Sequence, residues 1–259
     1  MVRLELEMPE RSRSAAQPDH HSRTNLLLEA LSEADYERLR PDLRVITVQA
    51  KQIVQGAGDP VEYVYFPMGG VFSITTVLPD GTNVEAATVG AEGMVGIEAF
   101  LGPDPIAPGQ TLLQVPESNS AADAARVPVG AFRDACAARR GLYDVMGRYA
   151  QSVIAQMMQS TACNALHLVN DRCARWLLMT HDRVHQRDFD LSHEFLAVML
   201  GVQRPTVSLV AASLQAKGLI SYSHGRVRVL DRRGLEEASC ACYAVIRRHF
   251  AALNVQPGV

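Results

Sequence analysis

No apolar run approaches the roughly 20 residues that a membrane-crossing helix needs, and the N-terminus lacks the apolar core of a secretory leader. The cytoplasm is the expected location, with no membrane partner. The five cysteines, Cys136, Cys163, Cys173, Cys240 and Cys242, are odd in number, and none precedes Cys136. They do not read as a disulfide framework, and they fit a reducing compartment. The sequence has no Gly-x-Ser-x-Gly, no Walker loop, no dinucleotide fingerprint and no His-Glu-x-x-His, so nothing marks an enzyme. Glu92 and Glu98 could be imagined as paired carboxylates, but a turn residue and a solvated face are the simpler reading. The net charge of −3 over 259 residues excludes a uniformly basic binder and leaves room for a local basic patch.

Hydrophobic residues make up 47% and charged residues 20%, enough for a sizeable core in one or two domains. Residues 1–23 are polar and aperiodic, and read as a mobile arm. From Asn25 to Leu39 the period is helical, and Pro41 closes the segment. Residues 43–113 are strand-like. Val45-Ile46-Thr47-Val48 is β-branched, residues 61–66 alternate, and the runs 71–78 and 83–89 flank a Pro79-Asp80-Gly81 turn. Many short strands cut by glycines predict a small antiparallel roll. Past Val129 the period is helical again. Leu142, Met146, Tyr149, Val153 and Met157 step by four, three, four and four along a helix that runs to Val169. This stripe fits a partner helix in a homodimer, with burial within the chain as the alternative. Another helix covers 171–180, and a polar loop covers 181–190. His181 and His185 in that loop read as solvated.

Residues 191–233 carry the clearest motif. Leu191-Ser192-His193-Glu194-Phe195-Leu196 starts a helix with Ser192 as its N-cap, and Gly201 ends it in a tight turn. A second helix begins near Gln203, with Pro205 in its first turn, where a missing N–H costs nothing. Val207, Val210, Ala211 and Leu214 form the buried face. Gln203, Arg204, Thr206 and Ser208 are left on the other side, and Lys217-Gly218 ends the helix. Two short helices about a glycine turn make a helix-turn-helix, and a hairpin about Ser223-His224-Gly225 adds a wing. Residues 201–233 hold six basic residues (Arg204, Lys217, Arg226, Arg228, Arg232, Arg233) against one acid, Asp231. A basic module on an acidic body fits a protein that holds DNA at one end.

Roll, long helix and winged helix-turn-helix together resemble the Crp/Fnr family of bacterial transcription regulators. The resemblance covers the chain from about residue 25. It rests on Leu200-Gly201-Val202-Gln203-Arg204-Pro205-Thr206-Val207-Ser208, on Leu219-Ile220-Ser221, on Gly90-Ala91-Glu92-Gly93-Met94-Val95-Gly96, and on the tail from Glu236 to Tyr243. It implies an α+β fold with an N-terminal antiparallel β-roll of the cyclic-nucleotide-binding kind, a long dimerisation helix and a C-terminal winged helix-turn-helix. The expected divisions are an arm at 1–23, a sensor roll at 24–138, a dimerisation helix at 139–170, and a DNA-binding domain with a C-terminal helix at 171–259. A homodimer on a roughly palindromic site in double-stranded DNA follows, with RNA polymerase as a further partner. Arg204 would read guanine O6 and N7. Ser192, Gln203, Thr206, Ser208, Leu209, Lys217 and Arg226 would complete the DNA contacts. The cyclic-AMP receptor protein has an acid and a second arginine where this chain has Pro205 and Leu209, so a different operator is expected. The competing function is a ligand- or partner-binding module whose winged helix is a protein contact.

The sensor segment departs from the cyclic-nucleotide pattern. Ile97 follows Gly96, with Glu98 one place late, and a one-residue slip turns a strand side chain to the other face. Gln110 and Thr111 stand where the phosphate-pairing arginine belongs, and no Lys or Arg occurs between Lys51 and Arg126. Met157 and Met158 stand where the long helix would meet adenine. A phosphate among these residues would lack its charged partner, so cyclic AMP and cyclic GMP are not expected, and any effector is another small molecule. No cofactor is expected either. The family's iron–sulfur branch carries cysteines near the N-terminus, which this chain lacks. Cys240 and Cys242 read as core packing, because neighbours on one helix face different ways. His167 alone is a poor haem ligand. A hinge is expected near Val169-Asn170-Asp171.

Overall fold

The computed structural model describes residues 24–116, 121–184, 186 and 188–253. The arm expected at 1–23 lies outside the described residues, as does His185.

The first helical segment is split in two. The Asn25 side chain caps α1 (Leu26–Glu29) and the Ser32 side chain caps α2 (Glu33–Leu39). A hydroxyl in mid-pattern competes for the backbone and restarts the helix. Buried Asn25 also donates to the carbonyls of Pro67 and Gly93, at 2.7 and 2.9 Å, and so pins α1 to the roll.

The roll contains β1 (Arg44–Gln49), β2 (Ile53–Gln55), β3 (Tyr63–Pro67), β4 (Val71–Val77) and β5 (Asn83–Val89). After α3 (Glu98–Leu101) come β6 (Gln110–Val115) and β7 (Ala121–Pro128). They pair antiparallel in two sheets, ordered β1-β7-β3 and β2-β6-β4-β5. The expected hairpin is β4–β5, and Gly81 takes φ +83° in its turn. Tyr65, Phe72, Ile74, Val89, Val95 and Leu113 fill the space between the sheets.

α4 (Val129–Ala138) leads into α5 (Arg140–Leu166), a helix of 27 residues. Leu142, Met146, Tyr149 and Val153 on α5 are buried in the chain's own core, at 0–4% exposure, and Met157 is half-buried against it. The stripe read as a dimer seam is therefore seated inside the chain, because the roll offers it apolar and polar partners. The Tyr149 hydroxyl donates to the Met94 carbonyl at 2.8 Å. The face left exposed on α5 carries Tyr143, Ile154 and Met158.

His167 and Leu168 are extended and break the chain before α6 (Val169–His181), just ahead of the expected hinge. There follow β8 (Asp188–Asp190), α7 (His193–Leu200), α8 (Arg204–Ala216), β9 (Ile220–Ser223), β10 (Arg226–Val229), α9 (Arg232–Glu237) and α10 (Cys242–Ala251). The third sheet has the order β8-β10-β9. Its strand β8 falls in the stretch read as a polar loop, where Asp190 pairs across from Arg226. The tail is two helices, with Cys240 in the turn between them, so Cys240 and Cys242 do not share one helix, contrary to the expectation from sequence. No single helix among the described residues is long and apolar enough to cross a membrane.

Roll and C-terminal module meet across a polar junction. Arg183 and Glu92 form an ion pair at 2.6 Å with side chains 4% and 1% exposed. Arg183 also donates to Thr88 Oγ1, and Glu92 accepts from the Gly90 N–H. A Cβ at Gly90 would lie 2.6 Å from Glu92 and 2.7 Å from Arg183, so a side chain there must push the pair apart. Glu92 is thus sealed inside rather than a free turn residue. Glu98 is not solvated either, and burial raises its pKa.

Nearby, Trp176 Nε1 donates to Glu85 Oε1 at 2.9 Å, Ser73 donates to the other oxygen, and α7 packs on β5. Burial pushes the Glu85 carboxyl up to about 7, against the pull of the Ser73 and Trp176 hydrogen bonds and of Arg175 and Arg183. A carboxyl with a raised native pKa holds its proton longer when folded, so its stabilising effect is full below the unfolded value of 4.5 and falls away as pH rises towards 7. The loss is at most about 3 kcal/mol. Glu85→Gln should flatten the fall in melting temperature over that interval. An unchanged pH slope would assign it to other groups.

Candidate nucleic-acid interface

α7 and α8 meet at 102°. Gly201, at φ +61°, makes the turn in the left-handed region where glycine costs least. Ser192 Oγ accepts from the Phe195 N–H and caps α7. Gln203 opens α8 with Pro205 in its first turn, and Val207, Val210, Ala211 and Leu214 are buried beneath it. Arg204, Ser208 and Leu209 stand on the open side, Leu209 at 74% exposure, with Thr206 half-buried beside them. Lys217 is exposed at the far end of α8, about 20 Å along the axis at 1.5 Å per residue, and does not join that group.

His193 and Glu194, which no sequence signal marks for this surface, also belong to it. The His193 ring stacks on Tyr222 with centroids 4.5 Å apart, and its Nδ1 meets Ser208 Oγ at 3.0 Å. The Tyr222 hydroxyl donates to the Leu191 carbonyl, and burial pushes that phenol up to about 12. The wing is thereby fixed to both helices. The wing turn uses His224 at φ +50° and Gly225 at φ +76°, the pair of positive angles that suits the strand twist.

The basic excess is largely answered by acids outside the 201–233 window. Arg204 pairs with Glu194 at 2.7 Å, Arg226 with Asp190 at 3.3 Å, and Arg232 with Asp182 at 2.6 Å. Arg228 grips Asp188 with two bonds of 2.6 Å. Arg204 and Glu194 are 64% and 63% exposed. Pairs this open are worth about 1 kcal/mol or less, so a phosphate or a base edge can take over the guanidinium.

The candidate ligand residues are spread over the loop before α3, α3 itself, β6 and α5. Gly96 is at φ +91°, where a Cβ would sit 3.1 Å from the Tyr63 carbonyl, and Ile97 is in the main core. Glu98 starts α3, while Gln110 and Thr111 sit on β6, Thr111 buried. Met157 packs against both apolar clusters, and Met158 points outward at 69% exposure. A cavity of about 320 Å³ in the roll is lined instead by residues that include Gln55, Asp59, Glu62, Tyr63 and Tyr65. Its two carboxylates oppose a phosphate.

Residues 171–238 match the Crp-like helix-turn-helix domain. The fold of the chain is similar to FixK2 from Bradyrhizobium japonicum, with a TM-score of 0.65 and 16% identity, over 77% of this chain and 98% of that one. It is similar to CLP, the c-di-GMP-responsive global regulator of Xanthomonas campestris, at TM-score 0.61 and 18% identity over 76% and 99%. A CRP-family transcriptional regulator from Thermus thermophilus gives 0.61 and 22% over 75% and 96%. No curated protein matches the chain. The C-terminal module is a Crp-like helix-turn-helix domain. Around it the chain has the fold of the Crp/Fnr regulators, and together these support a DNA-binding transcription regulator.

Proposed function

We propose that this chain works as a homodimer on a roughly palindromic duplex site. The observation that carries this reading is the open N-terminal face of α8, where Arg204, Ser208 and Leu209 stand together on a scaffold fixed by His193 and Tyr222. In this reading Arg204 takes guanine O6 and N7, and Leu209 rests on a thymine methyl. Gln203, Thr206 and the Ser192 end of α7 flank them, Arg226 approaches the backbone from the wing, and Lys217 has at most a remote phosphate contact. Two such helices would enter major grooves about 34 Å apart. The divisions at 24–138, 139–170 and 171–259 serve as sensor, connector and reader. The sensor roll takes no cyclic nucleotide, and is either empty or holds another small molecule; RNA polymerase is the further partner, and the protein acts in the cytoplasm without catalysing a reaction.

Selection from a random duplex pool at two salt concentrations, with and without cyclic AMP, tests this. The expected result is a palindromic site bound without nucleotide, with affinity that falls as salt rises. A requirement for cyclic AMP would overturn the sensor reading, and salt-independent binding would favour a winged helix that contacts protein.

The dimer seam in this reading is the exposed face of α5. Tyr143, Ile154 and Met158 lie there, at 47%, 49% and 69% exposure. Ile154→Glu should place a charge in the seam and lower the dimerisation constant by at least about tenfold in sedimentation, with the monomer still folded. A dimer of unaltered strength would place the seam elsewhere.

A further inference from the structure

Four metal-ligating side chains converge beside the break between α5 and α6. Cys163 is in the last turn of α5, and His167, the extended residue that ends the helix, donates its N–H to the Cys163 carbonyl and so stands beside it. Cys242 is the first residue of α10, and Cys240 precedes the helix. Because Cys240 is outside the helix, its sulfur is free to turn to the same side as that of Cys242. Cys163 Sγ lies 3.4 Å from Cys240 Sγ, and Cys242 Sγ lies 3.4 Å from His167 Nδ1. All four ligand atoms lie within 4.8 Å of one another.

We propose that Cys163, His167, Cys240 and Cys242 form a structural Zn²⁺ site. A tetrahedral ion with Zn–S near 2.3 Å and Zn–N near 2.0 Å sets ligand-to-ligand edges of roughly 3.5–3.8 Å. The two observed separations of 3.4 Å are within a few tenths of an ångström of those edges. An iron–sulfur cluster divides its ligands between irons and spreads them beyond a single tetrahedron. Three sulfurs and one imidazole nitrogen are a closed donor set of the kind structural zinc takes, with no place left for water.

The surroundings support the same assignment. Cys163, Cys240 and Cys242 cluster with one another, apart from both larger apolar cores. Thiols serving as small apolar filler would merge with those cores. Gln159 Nε2 donates to Cys242 Sγ at 2.9 Å, an outer hydrogen bond that orients a ligand. Arg175 is buried at 6% exposure, and its Nε has no hydrogen-bond partner. Among the described residues no carboxylate pairs with it within 4 Å. Its field reaches Cys163 and Cys240. A zinc ion with three thiolates carries a single net negative charge, which this guanidinium offsets. The ion would join the end of α5 to the α9–α10 turn, across the extended His167-Leu168 pair. It would hold the winged module in one pose relative to the long helix.

The test is elemental analysis of the full chain, purified under reducing conditions from zinc-supplemented medium. About one zinc per chain is expected. Cys163→Ser, Cys240→Ser and Cys242→Ser should each weaken zinc retention against a competing chelator by roughly tenfold or more. Cys136→Ser and Cys173→Ser, at buried thiols outside the cluster, should leave it unchanged. Since a ligand variant can fail to fold, wild-type protein stripped by a chelator is also titrated with Co²⁺. The expected signature is the strong visible absorption of a tetrahedral, thiolate-rich cobalt centre, lost when Zn²⁺ is added. A metal-free protein that gives no cobalt spectrum would overturn the proposal. So would iron with inorganic sulfide, or a Cys163–Cys240 disulfide in the reduced preparation. None of these readouts involves DNA, so the proposal stands or falls separately from the operator-binding reading.

Discussion

Arg204→Ala should cost the protein its preferred DNA sequence while leaving its fold intact. The side chain is 64% exposed and its one ion pair, to Glu194, is equally open, so removing it strips nothing from a core. A bidentate arginine–guanine contact discriminates by about 1–3 kcal/mol per half-site. The proposed dimer would make the contact twice, so specific affinity should fall by roughly 10²-fold or more, while weak salt-dependent binding to any duplex persists. Competition binding against scrambled duplex measures this, and circular dichroism checks the fold. An unaltered sequence preference would remove Arg204 from base reading. Glu194→Gln belongs in the same assay, because it frees the guanidinium without deleting it and should leave the preference in place.

The second large effect concerns stability. Arg183→Ala should leave Glu92 as a charge buried at 1% exposure without its partner. Breaking one side of a buried pair costs about 3–5 kcal/mol. The melting temperature should drop by roughly 10 °C, and the transition of the C-terminal module should separate from that of the roll. Replacing both partners, as in Arg183→Leu with Glu92→Leu, should recover much of the loss, because two apolar side chains need no partner. A single variant as stable as the wild type would show that water reaches the junction and solvates Glu92.

The helix-turn-helix was legible because its signals are local. The Ser192 cap, the left-handed Gly201, Pro205 in the first turn and the buried row Val207, Val210, Ala211 and Leu214 each act within a few residues. The β4–β5 hairpin was legible for the same reason. Features that depend on distant partners were not. Arg183 and Glu92 are 91 residues apart, and Cys163 and Cys240 are 77 apart, so no periodicity links them. The α5 stripe shows the limit of pattern reading. Its spacing says that Leu142 to Val153 face something apolar, and only the fold says that this is the chain itself. β8 escaped notice because three residues with two aspartates look like a loop until Arg226 and Arg228 lie opposite. The charge window misled because sequence neighbours such as Glu194 and Asp190 lay just outside it.

The seating of α10 on α5 also orders events on the ribosome. β1 pairs with β7, so the roll can close soon after residue 128 emerges, before any of the winged module exists. α5 then waits. The Tyr149 ring meets Phe250, and Ser152 donates to the His249 carbonyl 97 residues further on. A nascent chain that has already made α8 therefore carries a complete helix-turn-helix, while part of α5 still lacks its cover. Such a chain would be a client for a chaperone that holds apolar helices, until α10 arrives to displace it.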